Sequence, residues 1–382
     1  MRAQLERDFD RFKRELPRDV AAHVRETFRI DLTARYLGET IPHPIGKGSG
    51  QLSLNAGQLE DDATAGLAFV VLKTVIAEDE TGTQTMAAWA IRESKMRVEP
   101  RQGATGRTGW TVTWKGRGWD RPFGEYLALV RAGRDLTRAG RLLVVPSVKY
   151  HLPRLDEPFR DAEYRHTTAA LAGAWGAGQS PWLVEKDFSP TLAGDALADD
   201  RVQILRWLEE VPRRVRAASP APVKVAVKLM NALFDDAFQL DMMQAARDAD
   251  ALVCFNRLFD TQLGVAYGGW DLSERNLRVL GSPRPGIPAL TGTGNIGSGR
   301  MILEYAGRGC ESVQIHTFLQ LPLSEYPATH GSRSQRALHT LVFHPADGLI
   351  AGMLDREASG ALERRDGELH FLDVSANAHR PR

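Results

Sequence analysis

Short runs of β-branched and aliphatic residues alternate with longer helical stretches along most of this chain, and that alternation constrains the fold most. Leu67–Lys73 reads LAFVVLK, Arg141–Val148 reads RLLVVPSV and Pro181–Asp187 reads PWLVEKD. Pro222–Met230, Ala251–Phe255, Ile287–Thr291 and Ser312–Ile315 continue the series. Between them the spacing predicts helices over Phe123–Leu136, Asp161–Trp175, Arg201–Ala218, Asp235–Ala249, Asp271–Leu280 and Ile296–Arg308. Near-continuous apolar strands separated by helices imply a parallel sheet covered on both faces. Seven such strands are visible, and Thr40–Gly46 is the candidate for an eighth. The fold class is therefore α/β, a (β/α)8 TIM barrel.

The chain is longer than the roughly 250 residues such a barrel needs, so it should carry additions. Residues 1–30 repeat Leu5, Phe9, Phe12 and Leu16, then Val20, Val24 and Phe28, at helical spacing, and predict an N-terminal helical extension. Its polar face mixes both charge signs, which favours packing on the barrel over a peripheral membrane anchor. The barrel is expected over 31–360, with insertions at about 81–121, a small β excursion containing WTVTW, and at 319–339, a polar loop. Residues 361–382 are read as a tail.

Composition narrows the function. With 49 basic and 48 acidic side chains the formal charge is +1, giving no electrostatic reason to expect nucleic acid or an anionic membrane. No apolar run approaches the roughly 20 residues of a membrane span. The two cysteines, Cys254 and Cys310, cannot build a disulfide framework or an iron–sulfur centre and are expected to pack as small hydrophobes in a cytoplasmic protein. His43, His330, His339 and His344 lack metal-ligand spacing, so no metal is expected.

Chemistry is most legible in Ala289–Gln320. Glycines at 292, 294, 297 and 299 follow a strand and precede a helix. They suit either a tight βα turn or a loop whose backbone approaches a phosphate at the helix N-terminus. Gly292-Thr293-Gly294-Asn295-Ile296-Gly297-Ser298-Gly299, then Gly309-Cys310, Val313-Gln314-Ile315 and His316-Thr317, resemble the terminal FMN-phosphate unit of the dihydroorotate dehydrogenase family, a pattern shared by the dihydropyrimidine dehydrogenase barrel. Asn295 replaces the second paired glycine, and His316 stands where glycine is usual. Other segments resemble the family in the correct order. These are Gly48-Ser49-Gly50, Val70–Thr74, Val225–Met230 with Lys228, Ala251–Asn256 and Tyr267-Gly268-Gly269.

The resemblance implies noncovalent FMN held by Ser49, Gly50, Lys73, Thr74, Lys228, Asn256, Gly268, Gly269, Gly294, Asn295, His316 and Thr317. It further implies hydride transfer between flavin N5 and a C–C or C–N bond, most simply CH–CH chemistry. A fixed cation such as Lys228 lowers the cost of the negative charge on reduced flavin. The substrate loop departs from the family pattern N-[LV]-S-[CS]-P-N. In Glu185-Lys186-Asp187-Phe188-Ser189-Pro190-Thr191, Asp187 replaces the first asparagine and Pro190 occupies the base position. The base is either lost or displaced onto Ser189. Ser189, Lys73 and Asp187 are the catalytic candidates, with His151 a further acid or base. Trp114, Trp119 and Lys186 suggest a rebuilt substrate pocket. Without the family's asparagines, orotate's polar edges would be left unpaired, at about 1–3 kcal/mol for each buried group, so dihydroorotate is disfavoured. The expected partners are a small-molecule substrate and an unidentified electron donor or acceptor, with a homodimer as one assembly option. The alternative reading is a flavin-binding sensor or partner subunit without dehydrogenase activity.

Overall fold

The structure, a computed structural model, describes residues 1–87, 97–102, 108–113, 118–176, 178, 180–188, 200–232, 235–256, 258–260, 265–268, 270–282 and 285–376. Eight parallel strands pair in a ring. They are β1 (Ile45–Lys47), β2 (Phe69–Val71 and Val75–Ile76), β3 (Leu143–Val145 and Ser147–Lys149), β4 (Trp182–Asp187), β5 (Val223–Lys228), β6 (Ala251–Cys254), β7 (Ala289–Thr293) and β8 (Cys310–Ile315). Each pairs with the next in sequence, and Val313 of β8 pairs with Ile45 of β1 to close the barrel. Pro146 splits β3, since it has no N–H for the ladder, but its carbonyl still accepts from the Glu185 N–H at 2.9 Å. The strands are buried on both faces, as their continuous apolar runs require.

The barrel helices are α3 (Ala56–Ala65), α4 (Phe123–Arg138), α5 (Asp161–Trp175), α6 (Arg201–Ala218), α7 (Asp236–Ala245), α8 (Trp270–Leu280) and α9 (Gly299–Ala306). Ahead of them in sequence lie α1 (Arg2–Arg11) and α2 (Val20–Phe28). After β8 come α10 (Thr317–Gln320), α11 (Arg333–Phe343), α12 (Leu349–Ala358) and α13 (Phe371–Ala376). The N-terminal pair packs on α11. Phe9 stacks on His339 at 4.6 Å between ring centroids, and Phe12 meets Phe343 edge-on at 4.9 Å. Asp8 and His23 join α1 to α2 at 3.0 Å. No helix among the described residues is long and apolar enough to cross a membrane.

Three expectations need correction. Thr40–Gly46 is not one strand. Glu39–Ile41 pairs antiparallel with Ala34–Tyr36 in a hairpin, and the barrel strand starts only at Ile45. Leu37 and Gly38 form the tip with positive φ. The helix after β7 starts at Gly299, because the Ser298 hydroxyl caps it by accepting from the Met301 N–H. The stretch after β8 is no plain loop, since it holds α10, a 3-10 turn at Leu323–Glu325 and the start of α11.

The hairpin sits at the end where the strands begin, with Glu39 paired to Lys224 at 2.8 Å. At the other end, Arg97–Gln102 and Thr108–Thr113 form the expected β excursion. Thr108–Thr113 also pairs with Val265–Gly268, which pairs with Leu258–Asp260. These segments leave β2 and β6, which stand opposite each other in the ring, so their four-stranded sheet bridges the mouth.

Candidate functional site

The candidate site is the ring of strand ends beneath that bridge, where a TIM barrel carries its chemistry. Along β7, β8 and β1 the backbone is shaped for close approach. Gly294 has φ +103°, and a Cβ there would lie 2.6 Å from Asn276 Nδ2 and 2.8 Å from the Phe255 carbonyl. Asn295 follows at φ +50°, a left-handed conformation that asparagine tolerates better than most residues, which accounts for its standing in place of a glycine. Its Nδ2 donates to Ser273 Oγ at 3.0 Å. His316 and Thr317 begin α10, and the His316 ring packs against Gly50 so closely that any side chain at Gly50 would overlap it. Gly48 leaves room for Gln314 and Lys228 in the same way.

On β1 to β4, hydroxyls link neighbouring strand ends. Thr74 Oγ1 hydrogen-bonds with Ser49 Oγ at 2.9 Å and Ser147 Oγ at 3.0 Å, and donates to Asp187 Oδ2 at 3.4 Å. Asp187 Oδ1 is buried without a partner, as are both amide atoms of Gln51, beside Gly50. Lys73 and Lys149 are buried. Lys186 is fully buried, with Nζ donating to the Asp187 carbonyl at 3.0 Å and lying 4.2 Å from the Phe188 ring centroid. Burial, reinforced by Lys149, holds its amine well below the usual lysine range. His151 is buried after β3 with Nδ1 unpartnered. Burial and then Arg160 lower its pKa, against Glu157. Trp119 is buried at the return from the insertion, its backbone N–H donating to the Thr74 carbonyl at 2.8 Å.

On β5 and β6, Lys228 Nζ donates to Gln314 Oε1 at 3.0 Å. Asn256 donates its N–H to the Leu229 carbonyl at 2.8 Å, and its own carbonyl accepts from Asn231 Nδ2 at 2.5 Å. Gly268 lies in the bridging sheet, paired with Trp110. Ser189, Gly269, Trp114, Pro190 and Thr191 lie outside the described residues. Thus Ser49, Gly50, Lys73, Thr74, Asp187, Lys228, Asn256, Gly294, Asn295, His316 and Thr317 all sit at the strand ends or the loops leaving them. Among the described residues no cluster of His, Cys, Asp and Glu could hold a metal ion.

Sequence reasoning passed over Tyr36, Ser147, Asn231, Asn276 and Gln51. Asn231 and Asn276 each lie at an element boundary or helix turn with nothing in their spacing to separate them from surface asparagines. Both are fully buried.

Among solved structures the chain is similar to DHODH, a dihydroorotate dehydrogenase, from Eimeria tenella in complex with ferulenol. The TM-score is 0.57 at 14% identity, over 100% of this chain and 96% of that one. The two share a fold. No family model and no curated protein matches the sequence.

Proposed function

We propose that this chain is an FMN-dependent oxidoreductase of the dihydroorotate dehydrogenase-like class, acting across a CH–CH or C–N bond of a small polar metabolite other than dihydroorotate. One observation carries the reading. Lys228 and the close-packed glycines Gly50 and Gly294 meet at one end of the barrel, beside buried polar atoms that lack partners. Buried donors and acceptors without partners are costly, so they are better explained by a polar ligand than by packing. The Gln51 amide and Asp187 Oδ1 suit the mixed donor and acceptor edge of an isoalloxazine or of a substrate on it.

In this reading Lys228 holds a positive charge where negative charge develops, and the turn at Gly294 and Asn295, with His316 and Thr317, would hold the phosphate. FMN supplies a two-electron acceptor for a hydride. Asp187 accepts from Thr74 on one oxygen and keeps the other for substrate or for Ser189. A serine needs such an acceptor to act as a base. Lys73 lines the wall toward β2, the bridging sheet limits water, and the two buried cysteines, which form no disulfide, suit a cytoplasmic setting. The substrate is oxidised or reduced against a second redox partner, an unidentified electron donor or acceptor.

Titration of the purified protein with FMN tests the cofactor, with a yellow one-to-one complex expected. A colourless protein that leaves FMN free rejects the proposal. Anaerobic mixing with dihydroorotate tests the substrate exclusion, and bleaching within seconds overturns it. Pro190 at the base position favours the second reading, a flavoprotein without dehydrogenase activity, and the outcome there is a flavin that no metabolite reduces.

A further inference from the structure

Beneath the mouth, inside the barrel, a run of polar groups leads down to the hairpin. Tyr36 OH donates to Glu185 Oε2 at 2.8 Å, and Gln314 Nε2 donates to the same oxygen at 2.5 Å. Gln314 Nε2 also lies 3.3 Å from Tyr36 OH, while Gln314 Oε1 accepts from Lys228 Nζ at 3.0 Å. All four side chains are at most 5% exposed. The run is built in from both ends. Tyr36 stacks on Phe69 with centroids 4.1 Å apart, Gly46 leaves space for that ring, and Gly48 leaves space for Gln314 and Lys228.

A carboxylate buried this completely is costly unless donors and a cation compensate it. Burial pushes the Glu185 carboxyl up, and Lys228, Gln314 and Tyr36 pull it back, with Asp187 adding to the rise. The geometry favours the charged form. Oε2 accepts two hydrogen bonds, and Lys228 stands as a cation on the far side of Gln314, and both oppose the rise that burial causes. Gln314 therefore stands as a neutral bridge, its amide fixed in one orientation by an anion on one side and a cation on the other.

We propose that Glu185, acting through Gln314, positions Lys228 and offsets part of its charge, and so tunes how readily a flavin at the mouth is reduced. Glu185 is a positioning residue, and the inference rests on the FMN reading above. In a low-dielectric interior the field of a carboxylate one side chain away is weakly screened. Removing that charge leaves Lys228 uncompensated and favours the more negative, reduced ligand.

The test uses the FMN-loaded full chain and compares midpoint potentials with FMN affinities in both redox states. Glu185→Gln should raise the reduced-to-oxidised affinity ratio about tenfold, which is about 30 mV for a two-electron couple. Tyr36→Phe removes a hydrogen bond from the same oxygen but no charge, and should change the ratio less than about threefold. The double variant Glu185→Gln, Gln314→Glu moves the carboxylate onto β8 beside Lys228, and should return the ratio to the wild-type value or below it. It also supplies the test if Glu185→Gln alone does not fold. An unmoved potential in Glu185→Gln, equal shifts in Glu185→Gln and Tyr36→Phe, or a double variant that stays raised would each overturn the inference while FMN binding stands. Wild-type protein that binds no FMN overturns the functional reading and this inference together.

Discussion

Thr74 Oγ1 reaches Asp187 Oδ2 across the intervening strand end, at 3.4 Å, while it also hydrogen-bonds with Ser147 between them. One hydroxyl thus ties β2, β3 and β4 together at the mouth, and Ser49 brings in β1. Thr74→Val keeps the shape and deletes this bridge. Buried hydroxyls left without partners cost about 1–3 kcal/mol, so the unfolding free energy measured in urea should fall by that amount, and Thr74→Ser should retain most of it.

Outside the mouth, Lys47 Nζ is paired with Asp62 at 2.5 Å in a buried ion pair, supported by Ser334 Oγ on Asp62 at 2.6 Å. Lys47→Met leaves a buried carboxylate unpaired and should lower stability by about 3–5 kcal/mol. Adding Asp62→Leu should restore a large part of it. A double variant no more stable than the single one would contradict this account, and denaturant unfolding of the three proteins decides it.

His43 is fixed in its neutral form by what it touches. Its Nε2 donates to the Gly66 carbonyl at 2.7 Å, and its Nδ1 accepts from the Ile45 N–H at 3.3 Å. Burial pushes its pKa below the ordinary 6.5. The unfolded chain then binds the proton first, so this contribution to stability is present above pH 6.5 and is lost as pH falls toward the folded value. Asp62, Glu163 and Glu185, raised by burial, act in the opposite sense at lower pH. The slope of stability against pH between about 6.5 and 5 should therefore flatten in His43→Gln relative to wild type, by at most about 1.4 kcal/mol per pH unit. Thermal unfolding across that range measures it.

If Ser189 takes the substrate proton, Ser189→Ala should slow flavin reduction by the true substrate roughly 10²–10⁴-fold and leave reoxidation by an acceptor intact. Unchanged reduction in rapid-mixing experiments moves the role to His151 or Lys73.

The barrel was legible because buried parallel strands need nearly unbroken apolar runs, and Leu67–Lys73, Pro222–Met230 and Ala251–Phe255 are such runs. β1 was not. It has three residues, Ile45, Gly46 and Lys47, and Gly46 is there to fit the Phe69 ring, a requirement set by a distant strand. The helix start at Ser298 was misplaced by the apolar Ile296, which packs before the helix begins. The strand-end positions of the candidate site followed from motif order. Its supporting interior followed only in part, since Glu185 and Gln314 lie in the motif segments but nothing there joins them to each other or to Tyr36. Tyr36, Glu185 and Gln314 are separated by well over a hundred residues each, and a tyrosine in a short polar hairpin gives no local sign that its hydroxyl will meet a buried carboxylate.

Closure of the ring through Ile45 and Val313 also bears on how the chain is made. Roughly 270 residues separate these partners, and ribosomes add about 5–20 residues per second. For something like 15 to 50 s, β1 emerges with an unpaired edge and no neighbour on that side. A parallel edge of this kind is a template for wrong pairing. Its brevity, only three residues with glycine at the centre, limits what it can template until β8 arrives.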